Sequence, residues 1–280
     1  MSRVDAHHHV WDLGRRPHTW LDGQEMAPIR RSFSLDDLAP LAAAAGIEAT
    51  VLVQVLPEVG ETREFLALAG SSPLVAGVVG WVDLTDPGVA DVLAQLRSGP
   101  GGDALVGIRH LVQGEADGWL DRPDVRRGLA AVADAGLVYD LLTLPPQLPA
   151  AIEVVRALPQ LTFVLDHLSK PPIASGPRGP WASDLRALAA LPNVSAKLSG
   201  LVTEATPDWT VEDLRPYVEV AIEAFGPDRL MTGSDWPVCL LAAPYADVLA
   251  AADVVIADLS PAERDQVRGG TAQRVYGLEW

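Results

Sequence analysis

Eight times along this chain a short β-rich run gives way to an Ala/Leu-rich stretch with apolar residues at helical spacing, and few folds satisfy that alternation. The β-rich runs fall at 3–9, 50–55, 75–80, 105–109, 137–142, 161–166, 193–199 and 230–235. Helical patterns fill 34–45, 60–70, 87–98, 122–135, 147–158, 181–191, 211–225 and 244–258, with a ninth at 260–275. The strands are nearly continuous in apolar residues, as strands covered on both faces of a parallel sheet must be. Eight such units predict a (β/α)8 barrel of the α/β class, formed by residues 1–280 as a single domain. An open doubly wound sheet is the alternative, but no Gly-rich phosphate loop follows the first strand. Ser34, with Asp37 three residues on, marks the expected start of the first helix.

Two connections exceed what a barrel needs. Residues 10–33 follow the first strand and carry Trp11, Trp20, Arg15, Arg16, Arg30 and Arg31. Residues 170–180 follow the sixth and are too rich in proline and glycine for a helix. Both belong at the C-terminal face, where barrel active sites lie and long loops act as lids. The four arginines either form a positive mouth on an acidic body or pin the loop through acids such as Asp12, Asp22 and Glu25. A net charge of −16 argues against nucleic acid or an anionic membrane as partner. No apolar run approaches the roughly 18 residues of a membrane span, and the polar start shows no signal peptide. Cys239 is the only cysteine, so no internal disulfide forms, which fits a reducing cytoplasm. Only Lys170 and Lys197 among the 21 basic residues are lysine, which points to two positions that need a compact ammonium.

The groups able to do chemistry gather at strand ends. His7 and His9 lie two apart on the first strand and share a face; His8 points the other way into packing. Asp166-His167 ends the sixth strand and Asp235 the eighth. Imidazoles and a carboxylate at one rim can hold a divalent metal or run proton transfer near neutral pH. Arg109 ends the fourth strand with a fork suited to carboxylate or hydroxyl oxygens, and His110 faces away from it. Gln54, Trp81, Asp140 and Lys197 occupy comparable ends and are expected to line a substrate. No spacing suggests a serine nucleophile, and Cys239 has no base beside it in sequence, so water is the expected nucleophile.

Several segments carry a family resemblance: Asp5-Ala-His-His-His-Val-Trp11, Gly107-Ile-Arg-His-Leu-Val-Gln113, Leu165-Asp-His-Leu-Ser-Lys-Pro-Pro-Ile173, Ala196-Lys-Leu-Ser-Gly-Leu-Val-Thr-Glu204 and Asp228-Arg-Leu-Met-Thr-Gly-Ser-Asp-Trp-Pro-Val-Cys239. In that order they resemble the amidohydrolase superfamily, and within it the branch of sugar-lactone hydrolases that includes L-fuconolactonases and L-rhamnonolactonases. The resemblance implies a distorted barrel in which His7, His9, His167 and Asp235 surround a reacting lactone carbonyl. It implies that Asp235 takes a proton from water while the imidazoles, directly or through a metal, stabilise the oxyanion. Two-metal members carry a bridging lysine or glutamate where this chain has Arg109-His110, so at most one divalent ion, zinc or manganese, is expected on those four residues. Metal-free catalysis stays open. The implied partner is a small-molecule lactone of carbohydrate metabolism; a metal-dependent decarboxylase of the same superfamily and a non-catalytic binding barrel are the alternatives.

Overall fold

The computed structural model describes residues 3–175 and 178–280. Its eight strands are β1 (Val4–His8), β2 (Ala49–Val53), β3 (Val75–Gly80), β4 (Leu105–His110), β5 (Val138–Leu141), β6 (Phe163–Leu165), β7 (Val194–Leu198) and β8 (Leu230–Thr232). They lie in sequence order in one sheet, and every neighbouring pair from β1 to β8 is parallel. The crossovers are α1 (Leu35–Ala44), α2 (Val59–Ala69), α3 (Val89–Ser98), α4 (Pro123–Asp134), α5 (Leu148–Ala157), α6 (Gly179–Ala189) and α7 (Val211–Phe225), and α8 (Tyr245–Val255) follows β8. Ser34 and Asp37 form the expected reciprocal cap on α1.

The sheet closes through chain just beyond β8. Asp235 N donates to His7 O at 2.8 Å and His9 N to Trp236 O at 2.7 Å. A Cβ on Gly233 would stand 2.7 Å from that of His7, so only glycine lets the two segments meet. β6 and β8 are shorter than their apolar runs predict, because the chain turns sharply at Asp166 and at Gly233 to deliver side chains into the rim.

Strand residues alternate between two cores. Leu52, Ile108, Phe163, Leu165 and Leu198 pack outward against helix residues such as Leu93, Leu129 and Leu185. Val51, Val79, Val138, Val164 and Met231 fill the interior with Tyr276 and Leu278. β1 breaks the alternation. Val4 and Ala6 belong to the interior core, and the register against β2 then slips between Asp5 and His8. This bulge turns His7 and His9 inward as well, while His8 goes outward to Thr50 Oγ1 at 2.9 Å.

The stretch expected as one helix at 260–275 is α9 (Pro261–Asp265), a π-turn over Gln266–Gly270 and α10 (Thr271–Tyr276). The π-turn packs on β1 and β8, and the tail after α10 enters the floor of the barrel. The long loop at 10–33 is pinched at its base by paired bonds between Trp11 and Phe33 at 2.9 and 3.0 Å, and holds two short turns, Thr19–Leu21 and Gln24–Ile29. In the loop at 170–180, positions 176 and 177 lie outside the described residues, and α6 takes over at Gly179.

Candidate active site

Asp235 Oδ1 lies 3.4 Å from His9 Nε2, 3.7 Å from His7 Nε2 and 3.9 Å from His167 Nε2. His7 Nε2 and His9 Nε2 are 3.2 Å apart. Four residues from three separate strand ends thus aim one atom each at a common point, and all are at least 95 % buried. The far side of each ring fixes its direction. His9 Nδ1 donates to Val53 O at 2.8 Å, which leaves its Nε2 as a lone pair. His167 Nδ1 meets Ser199 Oγ at 2.9 Å. Burial lowers His167 to about 4, against the opposing pull of Asp235 and Asp166, and holds His7 well below the usual imidazole range. Burial alone would raise Asp235, but the surrounding imidazoles outweigh it and hold the carboxyl below its ordinary value. At neutral pH the cluster therefore sets an ionised Asp235 against neutral His7 and His167.

The backbone that presents these groups is strained. Residues 167–170 all have φ near +50°, forming a left-handed turn without a single glycine. Such residues cost roughly 1–2 kcal/mol each, so other contacts must hold them. Trp181 Nε1 donates to Leu168 O at 2.8 Å, and Ser169 Oγ sits 2.8 Å from Thr143 Oγ1. Gly200, at φ +62°, makes room beneath: a Cβ there would fall 2.6 Å from His167 Nδ1. Asp235 itself has φ +58°. The turn before it is braced by Asp5, whose carboxylate accepts from Ser234 N at 2.8 Å, Ser234 Oγ at 2.6 Å and Tyr245 OH at 3.1 Å.

A second group of charges lies under the first. Arg109 Nη1 reaches Asp166 Oδ2 at 3.0 Å and His7 Nε2 at 3.3 Å. Gln54, expected to line a substrate, instead grips Arg109: its Oε1 accepts from Nε at 3.0 Å and Nη2 at 2.9 Å. Lys197 and Asp140, also expected at the lining, are fully buried one level down. Lys197 Nζ stands 2.5 Å from Asp140 Oδ2, 3.0 Å from Asp166 Oδ1 and 3.2 Å from His7 Nδ1. Burial pushes Asp140 up to about 6 against Lys197, whereas Lys197, His7 and Arg109 overcome burial to hold Asp166 well below the usual range. Trp81 stands apart with His110 and Trp119; its Nε1 donates to His110 Nδ1 at 3.0 Å. Lys170, half-buried, faces Glu204 at 3.7 Å.

Sequence reasoning missed Asp166, Asp5 and Tyr276 as contributors. Asp166 and Asp5 each stand one or two residues from a selected histidine, so a search for acids adjoining the histidine motifs would have found both. Tyr276 has no such signal. The lid arginines are spent on structure, through partners other than those expected. Arg16 pairs with Glu58 at 2.8 Å and Glu64 at 2.7 Å, Arg15 with Glu64 at 3.4 Å, and Arg31 with Asp37 at 3.5 Å. Arg30 bonds the carbonyls of Leu21, Asp22 and Gly23. A cleft of about 510 Å³ opens between the loop, α1 and α2, lined by Trp11, Phe33 and Phe65, and no residue of the histidine cluster faces it.

The donor set fits a divalent metal. A tetrahedral zinc with bonds of about 2.0–2.1 Å holds its ligand atoms about 3.3 Å apart, close to the separations of 3.2 to 3.7 Å among His7, His9 and Asp235, with His167 at 3.9 Å from Asp235 standing beside that trio. His7, His9 and Asp235 form one candidate ligand group, and His7, Asp166 and His167 another.

A parallel eight-stranded barrel with three imidazoles and an aspartate converging at its C-terminal rim has the architecture of a hydrolase that activates water. The chain belongs to the amidohydrolase family, whose model matches residues 4–278. It is 39% identical to an L-fucono-1,5-lactonase of Burkholderia ambifaria, over 99% of this chain and 96% of that one. A second L-fucono-1,5-lactonase, from Burkholderia multivorans, is 40% identical over the same shares. A crystal structure of an amidohydrolase from B. multivorans with bound zinc superposes with a TM-score of 0.94 at 39% identity, covering 100% of both chains. No helix among the described residues is long and apolar enough to cross a membrane.

Proposed function

We propose that this chain opens the ring of a sugar-acid lactone by hydrolysis, with an aldono-1,5-lactone of the L-fucono type as first choice of substrate. The convergence of ionised Asp235 with three imidazole Nε2 atoms at 3.4 to 3.9 Å carries this reading. The two lactonase relatives support the choice of substrate.

Asp235 takes a proton from water as the water oxygen adds to the lactone carbonyl carbon. The carbonyl oxygen gains the negative charge, and Arg109, 3.3 Å from His7 Nε2, supplies a fixed positive charge beneath the cluster. The bond from that carbon to the ring oxygen then breaks. Asp235 returns its proton to the ring oxygen, leaving an open-chain hydroxy acid. His7, His9 and His167, with Asp235, would hold one zinc or manganese ion; when bound it polarises the carbonyl and lowers the pKa of water. The guanidinium of Arg109 beside His7 favours one such ion over two, because a second would stand against a fixed cation. Gln54, Asp140 and Lys197 act by holding Arg109 and His7, and Trp81 belongs to the rim. The single cysteine, Cys239, is buried and suits a reducing cytoplasm.

A pH-indicator assay over a panel of aldonolactones, L-fucono-1,5-lactone included, with added zinc, added manganese and chelator, tests this. Acid release from at least one lactone is expected. Silence across the whole panel under all three conditions overturns the proposal.

A further inference from the structure

We propose that Tyr276, on the helix that plugs the floor of the barrel, is a positioning residue for His7 at the opposite end. The inference rests on reading the histidine cluster as the reactive site.

His7 Nδ1 faces two groups with opposite demands. Lys197 can only donate and stands 3.2 Å away; Asp166 Oδ1 can only accept and stands 3.3 Å away. If Lys197 prevails, His7 keeps its proton on Nε2, which then points at His9 and Asp235 and blocks the lone pair. If Asp166 prevails, Nδ1 carries the proton and Nε2 offers its lone pair to the centre of the cluster. Asp166 Oδ1 makes no hydrogen bond of good geometry, although Lys197 Nζ stands 3.0 Å away, so it keeps capacity for that N–H.

Arg109 Nη1, a donor 3.3 Å from His7 Nε2, favours this second state, and the rest of the balance depends on where Lys197 rests. Its closest partner is Asp140 Oδ2 at 2.5 Å, inside its distances to Asp166 Oδ1 at 3.0 Å and His7 Nδ1 at 3.2 Å. Asp140 is in turn held from below, with the Tyr276 hydroxyl 2.8 Å from Oδ1 and 2.9 Å from Oδ2. Tyr276, Asp140 and Lys197 are all buried, and the Tyr276 ring lies 5.4 Å from Lys197 Nζ. The phenol hydroxyl fixes the Asp140 carboxylate, the carboxylate draws the ammonium down, and His7 Nδ1 is left to Asp166. This assigns the C-terminal plug a role in the site beyond filling the barrel floor.

The test compares Tyr276→Phe, which keeps the ring and removes only the hydroxyl, with Leu278→Ala. The latter loosens the same plug without touching Asp140, so it reports a purely structural effect. Two readouts need no turnover: zinc affinity against a chromophoric chelator, and the imidazole ¹⁵N shifts of His7. Tyr276→Phe is expected to weaken zinc binding about fivefold, somewhat below the 10–100-fold usual for direct outer-shell partners, and to move the His7 Nδ1 and Nε2 shifts. Leu278→Ala should lower Tm yet leave both readouts at wild-type values. Unchanged readouts in Tyr276→Phe, or equal changes in both variants, overturn the proposal. If the wild type binds no zinc, the His7 spectrum alone decides. A chain that cleaves no lactone overturns the functional reading and leaves this test intact.

Discussion

Asp235 combines three properties a general base needs: it is ionised, it is buried, and its position is fixed by a backbone at φ +58° that neighbouring bonds sustain. Replacing it with asparagine removes the proposed base while preserving shape, so Asp235→Asn should lower kcat at least about a hundredfold. Circular dichroism should remain as in the wild type, and steady-state kinetics on a cleaved lactone checks the loss. His167 depends on its surroundings in a different way. Gly200→Ala places a methyl where His167 Nδ1 stands, at a positive φ. Gly46→Ala provides the control, since Gly46 has φ +69° but open space around it. Both variants should lose about 1–2 kcal/mol of stability from the left-handed backbone, read by urea unfolding. Only Gly200→Ala should lose turnover as well. Equal activity in the two would mean that His167 tolerates displacement.

At the scale of elements, the alternation of apolar runs and helical patterns was enough to place eight strands and their helices, because each signal is local. His7, His9, His167 and Asp235 were legible for the same reason, standing where those runs stop. Tyr276 was not, because its partner Asp140 is 136 residues away and nothing in the C-terminal segment marks it as entering a barrel. The β1 bulge and the left-handed turn at 167–170 were equally invisible, since each is imposed by packing against distant chain. Glu61 on α2 is a further case. Its carboxylate accepts from Val55 N at 2.7 Å and Leu56 N at 2.9 Å, closing the loop after β2 beside Arg109 and Gln54. Burial nevertheless raises it from 4.5 to about 7. The folded protein therefore holds this proton more tightly than the unfolded chain, and raising pH through that window favours unfolding. A displacement of that size corresponds to about 3 kcal/mol. The stability of the wild type relative to Glu61→Gln should fall by about that amount between about pH 4 and pH 8. Parallel urea curves at the two pH values measure it, and a difference that stays constant would show that the Val55 and Leu56 amides keep Glu61 ionised throughout.

For the molecule as a whole, charge decides which lactones can approach. The chain carries −16, and of the four lid arginines Arg15, Arg16 and Arg31 pair with Glu58, Glu64 and Asp37 while Arg30 bonds backbone carbonyls. Lys170, near the rim, is matched by Glu204. Beneath the cluster, Arg109 and Lys197 are buried and balanced by Asp166 and Asp140. An approaching anion therefore meets net repulsion from the acidic body, with Arg30 the one lid arginine whose charge no acid matches among the described residues, whereas a neutral aldonolactone meets neither. This favours the neutral substrate and gives a salt test of definite sign. Raising ionic strength from about 0.01 to 1 M shortens the screening length from about 30 to 3 Å. Over that range kcat/KM for a neutral aldonolactone should hold steady, while that for a lactone bearing a free carboxylate should rise. A fall with the carboxylated substrate would mean that the lid arginines leave their acids as the loop opens and steer the ligand in, so that the closed arrangement is only one of the states that matter for entry.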